Sequence, residues 1–172
     1  MSALVLASKS VTRSKLLRNA GLDFTAQPAR VDEESIKIGM HAEGAKPIEA
    51  AQALADLKAA RISPNWPDAF VVGADQILEC DGVWFDKPES ISAAQGQLAS
   101  LSGHTHHLHT AAAVAKDGTV IWRDSAHATL TMRTLDDAAI ASYLASAGDT
   151  VLESVGAYQL EGLGVQLFAA VQ

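Results

Sequence analysis

Apolar and polar positions follow two different periods along this chain. Residues Ala3 to Ala7 form a continuous apolar run that predicts a buried strand, and Thr12 to Ala20 follows with Leu16, Leu17 and Ala20 at helical spacing before Gly21. Phe24 to Gln27 predicts a short second strand, whereas the polar stretch from Val31 to Lys46 shows no clear period and reads as loop. Pro47 to Ile62 predicts a helix, with Pro47 in the first turn, an apolar stripe of Ala50, Ala51, Leu54, Leu57 and Ala60, and a stop at Ser63-Pro64. Ala69 to Ala74 reads as a buried strand that stops at Asp75. It resumes over Gln76 to Cys80, turns at Asp81-Gly82 and returns as Val83-Trp84-Phe85. Ile91 to Leu101 predicts a helix capped by Ser90 or Ser92. Two long strands, Thr105 to Ala115 and Thr119 to Arg133, should pair antiparallel through Lys116-Asp117-Gly118. Asp136 to Ala147 predicts a last helix ended by Gly148, and Val165 to Val171 a last strand. This mixed order implies an α/β fold.

Composition narrows the partners. With 172 residues, 48% of them hydrophobic and 19% charged, the chain can bury one core. A formal net charge of −7 sets the surface as a whole against nucleic acid and anionic membranes, so a phosphate site must come from a few locally placed cations. Cys80, the single cysteine, cannot form an internal disulfide. It is either a small buried side chain or a reactive thiol, and a reducing compartment fits. The apolar run after Met1 and Ser2 is too short for a signal sequence, and no apolar stretch reaches the roughly 20 residues of a membrane span. A soluble, cytoplasmic protein is expected.

Four stretches carry candidate chemistry. The loop Leu6-Ala7-Ser8-Lys9-Ser10-Val11-Thr12-Arg13 sets hydroxyls, amides and basic side chains between a strand end and a helix N-terminus, where the helix dipole favours phosphate; ordinary capping by Ser10 or Thr12 explains the same spacing. Asp75 is delivered from a rigid apolar strand whose Gly73 and Ala74 leave space for a ligand, as a catalytic acid or a salt-bridge partner. Asp32, Glu33 and Glu34 lie in the unpatterned stretch, where they could hold magnesium through oxygen or stand solvated. The run His104-Thr105-His106-His107-Leu108-His109 alternates imidazoles on a strand. With no cysteine near and His107 and His109 on the opposite face, it reads as a chance surface cluster rather than a zinc site. Lys87, on the turn Asp86-Lys87-Pro88, is by itself a solvated lysine.

Taken together, these stretches resemble the Maf-like nucleotide pyrophosphatases, a branch of the inosine triphosphate pyrophosphatase superfamily, from about Leu4 to Phe168. The resemblance rests on Leu6-Ala7-Ser8 with Ser10, Arg13 and Leu16-Leu17; on Asp32-Glu33; and on Ala55 with Lys58-Ala59. It continues in Gly73-Ala74-Asp75, Lys87-Pro88, Leu101-Ser102-Gly103 with His106 and Thr110, and Gly156-Ala157-Tyr158 with Gly162. It implies that Ser8 and Arg13 bind phosphates, that Lys58 and Lys87 neutralise a triphosphate, and that Asp75 is the catalytic carboxylate. Glu33, with Asp75, would hold a divalent cation, magnesium or alternatively manganese. Gln76 and Glu161 look like the subgroup acting on 7-methyl-GTP, and a carboxylate at 161 can accept from the N1 and N2 donors of guanine. Thr12 also falls among the substrate-binding positions, where that subgroup carries a large aromatic residue.

The sequence departs from the family at Val11, usually proline, and at Leu152-Glu153-Ser154-Val155, where a lysine-containing segment is usual. One domain over residues 1–172 is expected, stopping short of the family's closing glycine-rich turn and helix. The implied reaction converts a nucleoside triphosphate to a monophosphate and pyrophosphate. The alternative is a nucleotide-binding regulator of cell division with little turnover, and a different phosphohydrolase on a similar scaffold is a broader option. Asp75 together with Lys58, Lys87 and Arg13 favours the enzyme. The architecture expected is a central mixed, twisted sheet flanked by helices, two lobes with the site in a cleft, and a homodimer by family likeness.

Overall fold

A computed structural model describes residues 3–172; Met1 and Ser2, included in the N-terminal reading above, lie outside the described residues. The fold is α/β. Among the described residues seven strands, β1 (Leu4–Leu6), β2 (Thr25–Ala26), β3 (Phe70–Cys80), β4 (Val83–Phe85), β5 (Thr105–Lys116), β6 (Thr119–Met132) and β7 (Phe168–Val171), form a mixed sheet in the order β2-β1-β3-β5-β6-β7, with β4 paired to β3, and five α-helices accompany it. The chain divides into two compact units, one made of the residues up to Gln76 with Thr110–Ala126, the other of Ile77–His109 with His127–Gln172. No helix among the described residues is long and apolar enough to cross a membrane.

In the first unit, β1 (Leu4–Leu6) lies between β2 (Thr25–Ala26) and the N-terminal part of β3 (Phe70–Cys80), parallel to both, with Val5 opposite Thr25 and Val71. Parallel strands buried on both faces read as unbroken apolar runs, which is why Leu4-Val5-Leu6 and Val71-Val72 were legible. Asp75 does not end its strand: β3 is uninterrupted through Cys80, and Asp75 sits in its middle. Helix α1 (Val11–Asn19) is capped by Ser10, and its Leu16 is 60% exposed. Where a loop was expected, Glu33–Ala42 is helix α2. Asp32 caps it by accepting from the Ser35 amide and hydroxyl, and Glu33 and Glu34 complement the dipole in the first turn. That cap was the available signal.

Helix α3 (Pro47–Ile62) buries Ala50, Ala51, Leu54, Ala55, Lys58, Ala59 and Ile62, while Leu57 is exposed, so the inward face is rotated from the expected stripe and includes a lysine. β3 approaches this helix at Gly73. A Cβ there would overlap the Ala55 carbonyl oxygen and lie 2.7 Å from the Ala59 amide nitrogen. The missing side chain thus serves helix packing rather than a ligand.

In the second unit, helices α4 (Ile91–Leu101) and α5 (Asp137–Ala147) are capped by Ser90 and Asp136. They share a core with Leu78, Leu130, Met132, Tyr158 and Leu167. The turns Asp81-Gly82 and Asp117-Gly118 both place two residues at positive φ, the conformation that suits a two-residue hairpin. They join β3 to β4 (Val83–Phe85) and β5 (Thr105–Lys116) to β6 (Thr119–Met132). The last strand, β7, begins only at Phe168, because Leu163–Leu167 forms a 3-10 turn in which Gly164 packs closely on the Gln159 backbone.

The histidine run divides by strand alternation. His106 is fully buried, with Nε2 2.8 Å from the Tyr158 hydroxyl and its other ring nitrogen without a hydrogen-bond partner among the described residues. Burial, then the neighbouring His107, lowers its pKa from 6.5 to about 4. Between those values the unfolded chain binds a proton that the folded one refuses, so stability should fall as pH falls from 6.5 towards 4. Urea unfolding midpoints at about pH 7 and about pH 5 should drop less in His106→Gln than in the wild type; equal drops would remove His106 as the cause.

Candidate active site

Lys58 is carried inward because it shares the face of α3 occupied by Ala51, Leu54 and Ala55, and it is only 5% exposed. A buried ammonium needs partners. Its Nζ lies 2.5 Å from Asp75 Oδ1 and 3.0 Å from Glu33 Oε2. Asp75 reaches it from β3, on the same face as Val71 and Gly73, and Glu33 from the first turn of α2. Three elements therefore meet at one cation.

The charges in this triad do not balance. Two carboxylates surround one ammonium, and the second oxygen of Asp75, Oδ2, is buried with no hydrogen-bond partner among the described residues. Such an oxygen costs about 1–3 kcal/mol or more unless something donates to it. Glu33 is 41% exposed at its side chain and provides a solvent-facing oxygen beside it. An all-oxygen, net-negative donor set of this kind suits a hard divalent cation. Asp32 is not part of it: the Ser35 amide, then the Ser35 hydroxyl, hold its carboxylate below the usual range.

The strand-to-helix loop carries the second group. Ser8, largely buried, accepts from the Ser10 amide at 3.1 Å and from Arg13 Nη1 at 3.4 Å, while Ser10 accepts from the Arg13 amide at 3.3 Å. Capping and an Arg13-linked hydroxyl thus coexist at the N-terminus of α1, and Thr12 is half-buried in its first turn. Gln76 Nε2 donates to Thr110 Oγ1 at 2.8 Å. This contact depends on β3 and β5 being neighbours in the sheet, which no local pattern displays. Lys87 and Glu161 are both exposed and belong to the second unit.

A family model described as Maf-like protein matches residues 3–172. The chain belongs to the Maf-like family. The match spans every residue of the two groups above. The Maf-like chain is 48% identical to a protein of Paramagnetospirillum magneticum named nucleoside triphosphate pyrophosphatase, over 98% of this chain and 87% of that one. It is 46% identical to a protein of Rhizobium johnstonii named 7-methyl-GTP pyrophosphatase, over 98% of this chain and 84% of the relative. A Brucella abortus protein with the same name is 45% identical over the same shares.

Proposed function

We propose that this Maf-like chain hydrolyses a nucleoside triphosphate to the monophosphate and pyrophosphate in the cytoplasm. The observation that carries the reading is the buried Lys58 and Asp75 pair, joined by the half-exposed Glu33, with one Asp75 oxygen left unmatched among the described residues. The names of its relatives support the same chemistry.

Glu33 and Asp75 are the residues that would hold a divalent cation, magnesium or alternatively manganese. When bound it neutralises phosphate oxygens and makes a water more acidic. Lys58 holds the Asp75 carboxylate in place through Oδ1, which leaves Oδ2 to accept a proton from the attacking water. The water oxygen bonds to the α-phosphorus, the bridging P–O bond breaks, and the electron pair leaves with pyrophosphate. Arg13 and Ser8 bind phosphate oxygens at the N-terminus of α1, and Lys87 adds positive charge as negative charge spreads over the leaving group.

Base choice follows from Gln76, whose amide is held by Thr110, and from Glu161, which stands exposed to accept from a guanine edge. Thr12 borders the same substrate. A homodimer, implied by family likeness, completes the proposal.

The test is pyrophosphate release with magnesium from a panel of triphosphates that includes 7-methyl-GTP, GTP, UTP and dTTP. Turnover with the highest kcat/KM for 7-methyl-GTP is expected, and Glu161→Gln should cut that preference about tenfold. Turnover without base preference would remove only the base assignment. No pyrophosphate from any of them would remove the enzyme.

A further inference from the structure

The fold brings the only cysteine of the chain to the start of the histidine run. Cys80 ends β3, Asp81 follows at the tip of the hairpin turn, and His104 stands immediately before β5, the neighbour of β3 in the sheet. Asp81 Oδ2 lies 2.9 Å from His104 Nδ1 and 3.8 Å from Cys80 Sγ, and the three donor atoms all fall within 4.8 Å of one another. We propose that Cys80, Asp81 and His104 bind a zinc-class transition-metal ion.

The donor set selects the ion. A thiolate and an imidazole prefer zinc, cobalt or nickel to magnesium, in contrast to the oxygen-only pair of Glu33 and Asp75. Bonds of about 2.0–2.3 Å in a tetrahedral zinc site put donors roughly 3.3–3.5 Å apart. The 3.8 Å pair is close to that already, and the 2.9 Å pair must open slightly. Both movable partners have room to adjust, since the Asp81 and His104 side chains are 73% and 54% exposed. Their exposure also leaves the fourth position to water.

The charge balance is favourable. One thiolate and one carboxylate neutralise a divalent ion, and the imidazole binds as the neutral form. Burial, followed by the Asp81 and Glu79 carboxylates, pushes the Cys80 thiol up to about 11, so binding must displace the Sγ proton to solvent and weaken at low pH. Glu79 does not compete for the ion, because its carboxylate accepts the Gly82 amide at 2.5 Å and closes the turn.

Cobalt is the probe that reports the site directly. With a single cysteine in the chain, any sulfur-to-cobalt charge-transfer absorption must come from Cys80. Titrating the full chain with Co2+ should produce this band and saturate at one equivalent; Zn2+ should abolish it and excess Mg2+ should not. His104→Ala, at an exposed position that leaves the core intact, should weaken cobalt binding at least about tenfold, the loss expected even for an outer-shell partner. Zn2+ should likewise raise the melting temperature of the wild type and not of His104→Ala. Absence of the band at saturating Co2+, or a band of unchanged affinity in His104→Ala, overturns the site.

Discussion

Replacing Asp75 by asparagine is expected to lower kcat for pyrophosphate release by about a thousandfold or more while the protein remains folded. Asparagine keeps the shape and can still accept from Lys58 through its amide oxygen, and Lys58 retains Glu33 at 3.0 Å. What disappears is the charge and the proton-accepting capacity of Oδ2, the buried oxygen that lacks a partner. Nucleotide affinity should change far less, because Arg13, Ser8 and Lys87 are the residues assigned to the phosphates. Lys58→Met separates catalysis from folding in the opposite sense. Two carboxylates would then face each other without their shared cation, and removing one member of a buried pair costs about 3–5 kcal/mol. Calorimetric nucleotide binding, initial rates and urea unfolding on both variants check the assignment. An Asp75→Asn enzyme that keeps more than about a tenth of wild-type turnover would falsify Asp75 as the proton acceptor.

Gly73→Ala should destabilise the protein by about 3 kcal/mol or more, enough to leave much of it insoluble. The added Cβ would overlap the Ala55 carbonyl oxygen and press on the Ala59 amide nitrogen and Cβ. Two of these three are backbone atoms in the middle of α3, so relief requires moving the helix, and with it Lys58 one residue before Ala59. Any protein that does fold should therefore also lose activity. Gly39→Ala is the control. Gly39 lies inside α2 with nothing within 4 Å of an added Cβ, so alanine should stabilise by up to about 1 kcal/mol. Equal stability of the two variants in urea unfolding would rule out the close approach of β3 and α3.

Much of the architecture was legible along the chain. The Pro47–Ile62 and Ile91–Leu101 helices and the two Asp-Gly turns stand where periodicity and turn chemistry put them. Helix α2 was not, because its apolar residues Ile36 and Met40 are only half-buried and Ile38 is exposed, leaving no continuous stripe. The rotation of α3 was hidden for a related reason. Small alanines occur on several of its faces, so composition did not distinguish the inward one, and only packing against Gly73 did.

The sequence by itself determined the α/β class, most element positions and the likeness to Maf-like pyrophosphatases, since these depend on local periodicity and on motifs read in chain order. It also pointed to Ser8 and Arg13 in a strand-to-helix loop and to Asp75, though the strand it ended at Asp75 runs on to Cys80. Only the tertiary structure decided which charges meet. Glu33, Lys58 and Asp75 lie on three elements, and it is burial that forces the lysine to take both carboxylates as partners. Asp81 and His104 are 23 positions apart, and they converge with Cys80 because β3 and β5 are neighbours in the sheet. Pairing between distant strands is set by the core as a whole, and no local stretch of residues encodes it.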